Sequence, residues 1–369
     1  MLSVLVISPN PSVPGGVSVF IECMKRHIEG CRIVSFYIGS NGKDEEATFS
    51  ILRRLLVTPL QLARLVKRDK FDVVHINPSF DGKSLIRDGL LLLALRASGF
   101  RQTMLYFHGW DVSMQRRILR FAPLRAVTAW LLNKASLITV LGGDFRDGLV
   151  AMGVDPELIV VTRTMFEGEE LAAVEAELPA LGNKASRRYI LFMSRFDAEK
   201  GGRELLEGFA AVARDYPDLD LVMAGDGADG EYLKAQAQRL ELETRIKFPG
   251  YINGPDKWRL LRDCSLFALP SYYRSEGMPV AVLEAMGAGK PVLVGSAGAL
   301  RSMVTDPANG VMLEKVTPQK IANGLRRLFN DKGFGTWAGT NNRKLAWEKY
   351  EAHAVTAEIE TYYRKVAKC

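Results

Sequence analysis

The chain has 369 residues, with 49 Lys+Arg against 42 Asp+Glu, a formal net charge of +7 and an apolar content of 47%. A single core stops growing near roughly 250–300 residues, so two domains are expected. An ordinary charged fraction of 25% beside that apolar content excludes disorder, collagen and coiled coil. The charge is lopsided, since residues 1–150 hold 20 basic and 12 acidic side chains, +8, which leaves 29 against 30, −1, for residues 151–369.

The opening run Met1–Pro9 has no positive leader and no small-residue cleavage site, and reads as a first strand rather than a secretory signal. The most apolar stretch, Leu90–Leu95, is too short to span a bilayer. Cys23, Cys31, Cys264 and Cys369 form no CxxC pair, and His27, His75, His108 and His353 are dispersed, so free thiols in a reducing cytosol and no metal site are expected.

Short apolar runs alternate with helix-length segments. The first set is Leu2–Ser8, Arg32–Ile38, Phe71–Asn77, Thr103–His108, Ser136–Leu141 and Leu158–Thr162. The second is Tyr189–Ser194, Leu219–Ala224, Arg245–Phe248, Ser265–Leu269, Pro291–Gly295 and Val311–Glu314. Runs apolar on both faces are parallel strands covered by helices, and two sets predict an α/β protein of two doubly wound, Rossmann-like domains facing across a cleft. The boundaries read as 1–166, an acidic linker 167–188, and 189–345, followed by a helical segment 346–369 with Trp347, Tyr350, Val355, Ile359 and Tyr362 as buried positions.

Three motifs are set aside. Gly225-Asp226-Gly227-Ala228-Asp229-Gly230 fits G-x-G-x-x-G, but the next strand ends in Phe248-Pro249-Gly250-Tyr251 without the acid that would hold a ribose. Ala288-Gly289-Lys290-Pro291 lacks the Ser/Thr and the first glycine of a P-loop. Asp218-Leu219-Asp220 sits at a strand entrance and reads as solvent-facing carboxylates.

The segment Ser271–Met286 is the most informative. Gly277 frees the backbone and Pro279 suits a first helical position, so a helix begins directly after a strand and loop. The N–H groups of Gly277, Met278 and Val280 would then form an anion site. Glu276 and Glu284 bracket it at roughly 10–15 Å by helical rise and extended reach, too far for paired hydrolytic carboxylates, which lie about 5–9.5 Å apart. That spacing suits hydroxyl recognition on either side of a pyrophosphate. Arg195 ends the first strand of the second set and Lys200 follows before a helix, two cations able to neutralise a departing diphosphate. In the first half, Gly15 and Gly16 open a helix after the first strand, where backbone can approach a phosphate, and His108 ends the fourth strand beside Gly109.

Together these residues resemble the GT-B retaining glycosyltransferases of family 4, over nearly the whole chain: GGV, FHGWD, FMSRFDAEKGG, AGDGADGEY, FPGY and SEGMPVAVLEAMGAGKPV. The resemblance implies a nucleotide-diphosphate sugar in the second domain, an acceptor in the first, and a final helix crossing back to the first. It implies that Arg195 and Lys200 hold the diphosphate, Glu284 the ribose, and Glu276 the sugar. Backbone at Met278, Pro279 and Val280 would lie along sugar and phosphates, and Tyr251 and Ile252 along the base. Gly15 and Gly16 would close on the donor, with His108 near the reacting sugar. Retention of configuration, and no cofactor or metal, are further implications. Two departures stand out, Ala297-Gly298-Ala299-Leu300-Arg301 where the family often has Gly-Gly-x-Pro-Glu, and Thr162–Phe166 where Pro-Asn-Gly-Val-Asp is usual. A 2-epimerase of the same fold and a non-catalytic nucleotide-sugar-binding subunit are alternatives.

The basic segments 53–70 and 116–125 interleave Arg and Lys with leucines, which suits an anionic bilayer and a lipid-linked glycan acceptor, with the protein cytoplasmic and peripheral on the inner face of the cell membrane. No nucleic-acid motif accompanies the charge.

Overall fold

The computed structural model describes residues 1–10, 15–39, 48–177, 187–273 and 275–369, and the chain divides into two units, Met1–Met165 with Ala352–Cys369, and Phe166–Glu351. Counted over these units the charge asymmetry persists, with 24 basic and 16 acidic residues (+8) in the first and 25 and 26 (−1) in the second.

The first unit holds β1 (Leu2–Pro9), β2 (Cys31–Ile38), β3 (Val73–Ile76), β4 (Thr103–Tyr106), β5 (Leu137–Val140) and β6 (Ile159–Val161). They pair in parallel in the order β2-β1-β3-β4-β5-β6. The second unit holds β7 (Arg188–Met193), β8 (Leu219–Ala224), β9 (Ile246–Gly250), β10 (Leu266–Leu269), β11 (Val292–Gly295) and β12 (Gly310–Leu313), in the order β9-β8-β7-β10-β11-β12. All twelve apolar runs of the sequence are therefore strands. Their inner positions are closed to solvent: Val4, Leu5, Val73 and Val74 in the first sheet, and Leu191, Leu221, Phe267 and Leu293 in the second, are fully buried. The strand order reverses between β1 and β3, and again between β7 and β10. Such reversals open a crevice at the carboxyl ends of the strands, where ligands of open α/β sheets bind.

Two segments differ from their sequence reading. The stretch read as a linker begins with a helix, Gly168–Ala176, that packs within the second unit through Leu171 and Val174. Its acids are paired rather than solvated, since Glu170 accepts from Trp258 Nε1 at 2.7 Å and Glu175 binds Arg343 at 2.6 and 2.8 Å. Residues 178–186 lie outside the described residues. The terminal segment is not one helix but two, Lys332–Lys349 and Ala352–Val366. Tyr350, in a non-helical conformation, ends the first and resets the register of the second. Val355, Ile359, Tyr363 and Val366 then share one buried stripe in the first unit, and Tyr362 falls on its flank.

Candidate functional site

The loops at the carboxyl ends of β7 and β10 flank the switch point of the second sheet, and they carry the residues singled out from the sequence. After β7 the chain is clamped to the loop after β8: Ser194 N–H donates to Ala224 O at 3.1 Å, Phe196 N–H to Asp226 O at 2.7 Å, and Asp229 N–H to Phe196 O at 2.8 Å. This approach requires the glycines of the rejected dinucleotide motif. Gly225 and Gly227 have φ of +142° and +147°, and a Cβ on either would fall 1.9 Å from Ser194 O or 2.8 Å from Phe196 O. They hold the loop that presents Arg195. The Arg195 side chain is 69% exposed, with its guanidinium 3.2 Å from Asp197.

A short turn, Ala198–Lys200, leads back toward β10. Lys200 and Glu276 are both buried there, and Nζ donates to the two carboxylate oxygens at 2.9 and 2.8 Å. Ser271 Oγ donates to Glu276 Oε2 at 2.6 Å, and the Tyr273 ring lies 4.6 Å from the ammonium. An ammonium has three N–H donors, and two are given to Glu276, which leaves one for an incoming anion. The pair thus presents a fixed cation and an oriented carboxylate at the same place.

Glu276 is held from behind by Gly298, whose φ is +53° and whose Cβ position would meet Glu276 O at 1.9 Å. Ala299 N–H donates to Gly277 O at 3.1 Å in the same contact. The helix that follows is Val280–Gly287, one residue later than read from the sequence. Pro279 is its cap, because ψ of 116° is extended rather than helical. The Pro279 carbonyl accepts from Val282 and Leu283, so the N–H groups of Val280 and Ala281 precede the helical ladder at the positive end of the dipole. Met278 is buried beneath this turn. Glu284, on the second turn, is buried and bound by Lys257 Nζ at 2.6 Å, with the ammonium 4.2 Å from the Trp258 ring. Tyr251, exposed, and Ile252 follow β9 directly. Arg274 lies outside the described residues.

Arg301 stands on the short helix Leu300–Met303 and makes a two-point ion pair with Glu314, at 3.1 and 2.7 Å. The cation that departs from the family pattern is thus matched by an acid thirteen residues on. The acidic pair at the entrance of β8 is ionic too. Asp218 binds Arg188 at 2.7 and 3.0 Å, and Asp220 is buried, not solvent-facing, against Arg187 and Arg245 at 2.7 and 3.0 Å. Both carboxylates are committed to arginines. Lys290, of the P-loop-like run, donates to Arg262 O at 2.5 Å.

The remaining candidates belong to the first unit. Gly15 caps the helix Gly16–His27 in an extended conformation, and a Cβ on either Gly15 or Gly16 would meet nothing within 4 Å among the described residues. Pro14 lies outside the described residues. His108 follows β4 with its ring stacked on Tyr106 at 4.8 Å and edge-on to Phe20 at 4.7 Å. Asn77 anchors its amide to Ile7 O through Nδ2 at 3.0 Å, which turns Oδ1 toward His108 Nε2 at 2.8 Å. Nε2 must then be the protonated nitrogen, leaving Nδ1 as the base. Burial lowers the His108 pKa to about 3, so the ring is neutral in ordinary conditions. Two histidines that look dispersed in the sequence meet here, His27 Nδ1 and His353 Nε2 lying 3.4 Å apart.

Sequence reasoning missed Ser271, Lys257 and Gly298. Ser271 shares a strand-end loop with Glu276, so its position carried a signal. Gly298 was visible as a glycine after a strand. Lys257 gave none, because its contact with Glu284 is made only by the tertiary fold.

A helix start, a buried Lys–Glu pair and a second buried carboxylate stand beside the switch point of a parallel sheet in an α/β protein, an arrangement of the kind that accepts anionic groups. The family models for glycosyl transferases group 1 and for the glycosyl transferase 4-like domain match residues 174–345 and 3–164. The chain belongs to the group 1 glycosyltransferases of the GT-B type. It is 29% identical over 185 residues to an uncharacterized glycosyltransferase of Methanocaldococcus jannaschii, a match covering 50% of this chain and 47% of that protein. It is 26% identical to the UDP-Gal:alpha-D-GlcNAc-diphosphoundecaprenol alpha-1,3-galactosyltransferase of Escherichia coli, over 74% of this chain and 70% of the relative. In fold it matches Anabaena HepE in complex with UDP, with a TM-score of 0.75 and 19% identity over 98% of this chain and 99% of the other. The chain spans about half to three fifths of the length of the first curated relatives it matches.

Proposed function

We propose that this chain transfers a sugar from a nucleotide-diphosphate sugar to a hydroxyl of a lipid-linked glycan acceptor, in polysaccharide or glycolipid synthesis, with retention of configuration and without a metal. The observation that carries the reading is the buried Lys200–Glu276 pair placed directly before the Val280 helix start, at the switch point of the second sheet. In this reading Arg195, Lys200 and the helix N–H groups stabilise the diphosphate as the glycosidic bond breaks, and this electrostatic stabilisation supplies most of the lowering of the barrier. Glu276 orients the sugar and is not a nucleophile. Glu284, held by Lys257, accepts from ribose hydroxyls, and Tyr251 and Ile252 border the base. In this reading the neutral His108 and the backbone of Gly15 and Gly16 are the first unit's contribution to the reaction.

The lipid-linked acceptor is supported by the name of the Escherichia coli relative, which states a diphosphoundecaprenol acceptor, and by the +8 charge of the first unit. Arg53, Arg64, Lys67 and Lys70, and Arg116, Arg117, Arg120 and Arg125, are exposed, consistent with a peripheral position on the cytoplasmic face of an anionic membrane. Leu52 of that run lies outside the residues whose side chains are described. Among the described residues no helix is long and apolar enough to cross a membrane.

The test is nucleotide release from a panel of nucleotide sugars, with and without polyprenyl-diphosphate-linked glycans and with a chelator present, followed by NMR of the product's anomeric proton. Acceptor-dependent release that survives chelation and preserves the donor configuration is expected. Conversion of donor without acceptor indicates an epimerase, and inversion or loss of turnover with chelator refutes the mechanism.

A further inference from the structure

In the first unit the helices Val112–Arg120 and Ala122–Leu132 follow one another with only Phe121 between them. They pack against each other and against the helices Gly82–Ala97 and Gly143–Met152. The second of the pair meets the core through Thr128 and Leu132, both buried. On its other side Pro123, Ala126, Val127 and Trp130 are all exposed. These positions run i, i+3, i+4, i+7, the spacing that ordinarily marks the buried stripe of a surface helix. Here the stripe stands in water. Val127 is 58% and Trp130 55% exposed, and Phe121, at the corner where the helices join, is 59% exposed. Leaving such side chains wet is unfavourable, and a surface that covers them gains their burial.

The charge around the stripe has one sign. Residues 112–134 hold four arginines, one lysine and no acid. Arg116, Arg117, Arg120 and Arg125 are exposed, and their guanidinium groups make no ion pair or hydrogen bond among the described residues. Lys134 closes the far end, its ammonium 4.1 Å from the Trp130 ring. The acids of the adjoining turn and helices are engaged elsewhere. Asp111 accepts from Ser113 and Met114 N–H, Asp88 is bound to Arg87, and Asp147 pairs with Arg146. Asp144 sits in the first turn of its own helix, where the dipole favours it.

We infer that this helix pair is the face that enters an anionic bilayer, with Phe121, Val127 and Trp130 in the headgroup–acyl boundary and the arginines on lipid phosphates. The inference rests on the membrane position proposed above and names the surface that makes the contact. Charge complementarity selects this occupant, because a second copy laid on the same face would set these cations against one another. A Trp ring with a free N–H suits the boundary, which is apolar on one side and wet on the other. The helix Ala122–Leu132 is about 16 Å long at 1.5 Å per residue, so it lies along the surface rather than across the bilayer.

The experiment is flotation of the whole chain, without nucleotide sugar or acceptor, on vesicles of phosphatidylcholine alone and of phosphatidylcholine mixed with phosphatidylglycerol, in low and high salt. Binding is expected on the anionic vesicles and should fade with salt. Val127→Glu stands at an exposed helical position where Glu is the better helix former, so melting should be unchanged. It should weaken binding about tenfold or more, the scale of one lost apolar burial, while Val127→Leu should bind at least as well as wild type. Arg120→Gln and Arg125→Gln should each weaken binding about fivefold. Brominated acyl chains should quench tryptophan emission, and Trp130→Phe, which leaves four of the five tryptophans, should lose most of that quenching. No binding to anionic vesicles, binding indifferent to Val127→Glu, or quenching undiminished in Trp130→Phe each overturns the inference. So does a wild-type dimer that Val127→Glu dissociates, since the face would then belong to a second copy. Binding that survives Val127→Glu leaves the peripheral position standing on the basic residues alone, and absence of binding removes both. Turnover on a water-soluble acceptor analogue reads the transfer apart from either.

Discussion

Replacing Lys200 by Met keeps the length of the side chain and removes its charge, leaving Glu276 buried with Ser271 as its remaining side-chain donor among the described residues. Lys200 and Glu276 are 10% and 8% exposed in their side chains and approach to 2.8 Å. At that distance and an effective dielectric near 20, their attraction is about 6 kcal/mol. Desolvation of both groups offsets a large part of it, and breaking such a pair from one side costs about 3–5 kcal/mol because the other charge is stranded. The Ser271 hydrogen bond at 2.6 Å persists and favours the lower end, about 3 kcal/mol. For a domain the size of the second unit, 1 kcal/mol moves Tm by about 2–4 °C, so Lys200→Met should melt about 6–12 °C lower. The double variant Lys200→Met with Glu276→Gln removes both charges and should recover at least half of the loss. Melting curves of the wild type, both single variants and the double variant give the coupling directly. A single variant that melts within 1 °C of wild type, or a double variant no better than Lys200→Met, refutes the buried pair.

Gly298→Ala asks a residue with a Cβ to hold φ of +53° with that atom 1.9 Å from Glu276 O, so loss of stability beyond about 1–2 kcal/mol and weaker binding of the nucleotide-diphosphate sugar that supports turnover are expected; unchanged melting and affinity would show that this loop does not support Glu276. Gly16→Ala is the opposite case, since among the described residues nothing lies within 4 Å of the added Cβ, and the position is helical. The protein should melt at the same temperature or slightly higher, while turnover falls if phosphate approaches this backbone; full turnover would remove Gly16 from the site. Burial lowers both His75 and His108 to about 3, whereas an unfolded chain titrates its histidines near 6.5. Below 6.5 the unfolded state binds protons that the native state refuses, so stability falls by about 1.4 kcal/mol per pH unit per histidine toward pH 3 and is fully present above 6.5. Denaturant midpoints between pH 7.5 and 5 should show this slope, reduced in His75→Gln; a flat profile contradicts it.

The twelve strands were legible because parallel strands buried on both faces are apolar throughout, and Val73–Ile76 or Leu266–Leu269 cannot be mistaken for polar surface. The positions of the candidate residues were legible where they follow strand ends, as at Arg195, Lys200 and Glu276 after β7 and β10. What stayed hidden depends on distant segments. Lys257 reaches Glu284 across 27 positions, and Gly225 and Gly227, read only against a dinucleotide motif, prove to be spacers that let the Arg195 loop close on β8. The acidic stretch after Phe166 reads as a linker because it is acidic, contains Ala and Gly and lies between two sets of strands, whereas several of its Glu side chains have partners far along the chain. Those partners are Arg343, Trp258 and Arg259. Tyr362 and Tyr363 exchanged places for a similar reason, since a break at Tyr350 resets the phase of the final helix.

The proposed transfer has a diphosphate leave from the second unit, and Arg195 tests that proposal most cleanly. Its side chain is 69% exposed and pairs only loosely with Asp197, at 3.2 Å, so its removal should not disturb the fold. The measurement is kcat for nucleotide release by Arg195→Ala at saturating nucleotide sugar and lipid-linked acceptor, beside its melting temperature. Unchanged melting with kcat lowered by about 10²-fold or more is the expected result, the scale of one lost transition-state donor. Unchanged melting with undiminished turnover and donor affinity would contradict a diphosphate held at Arg195.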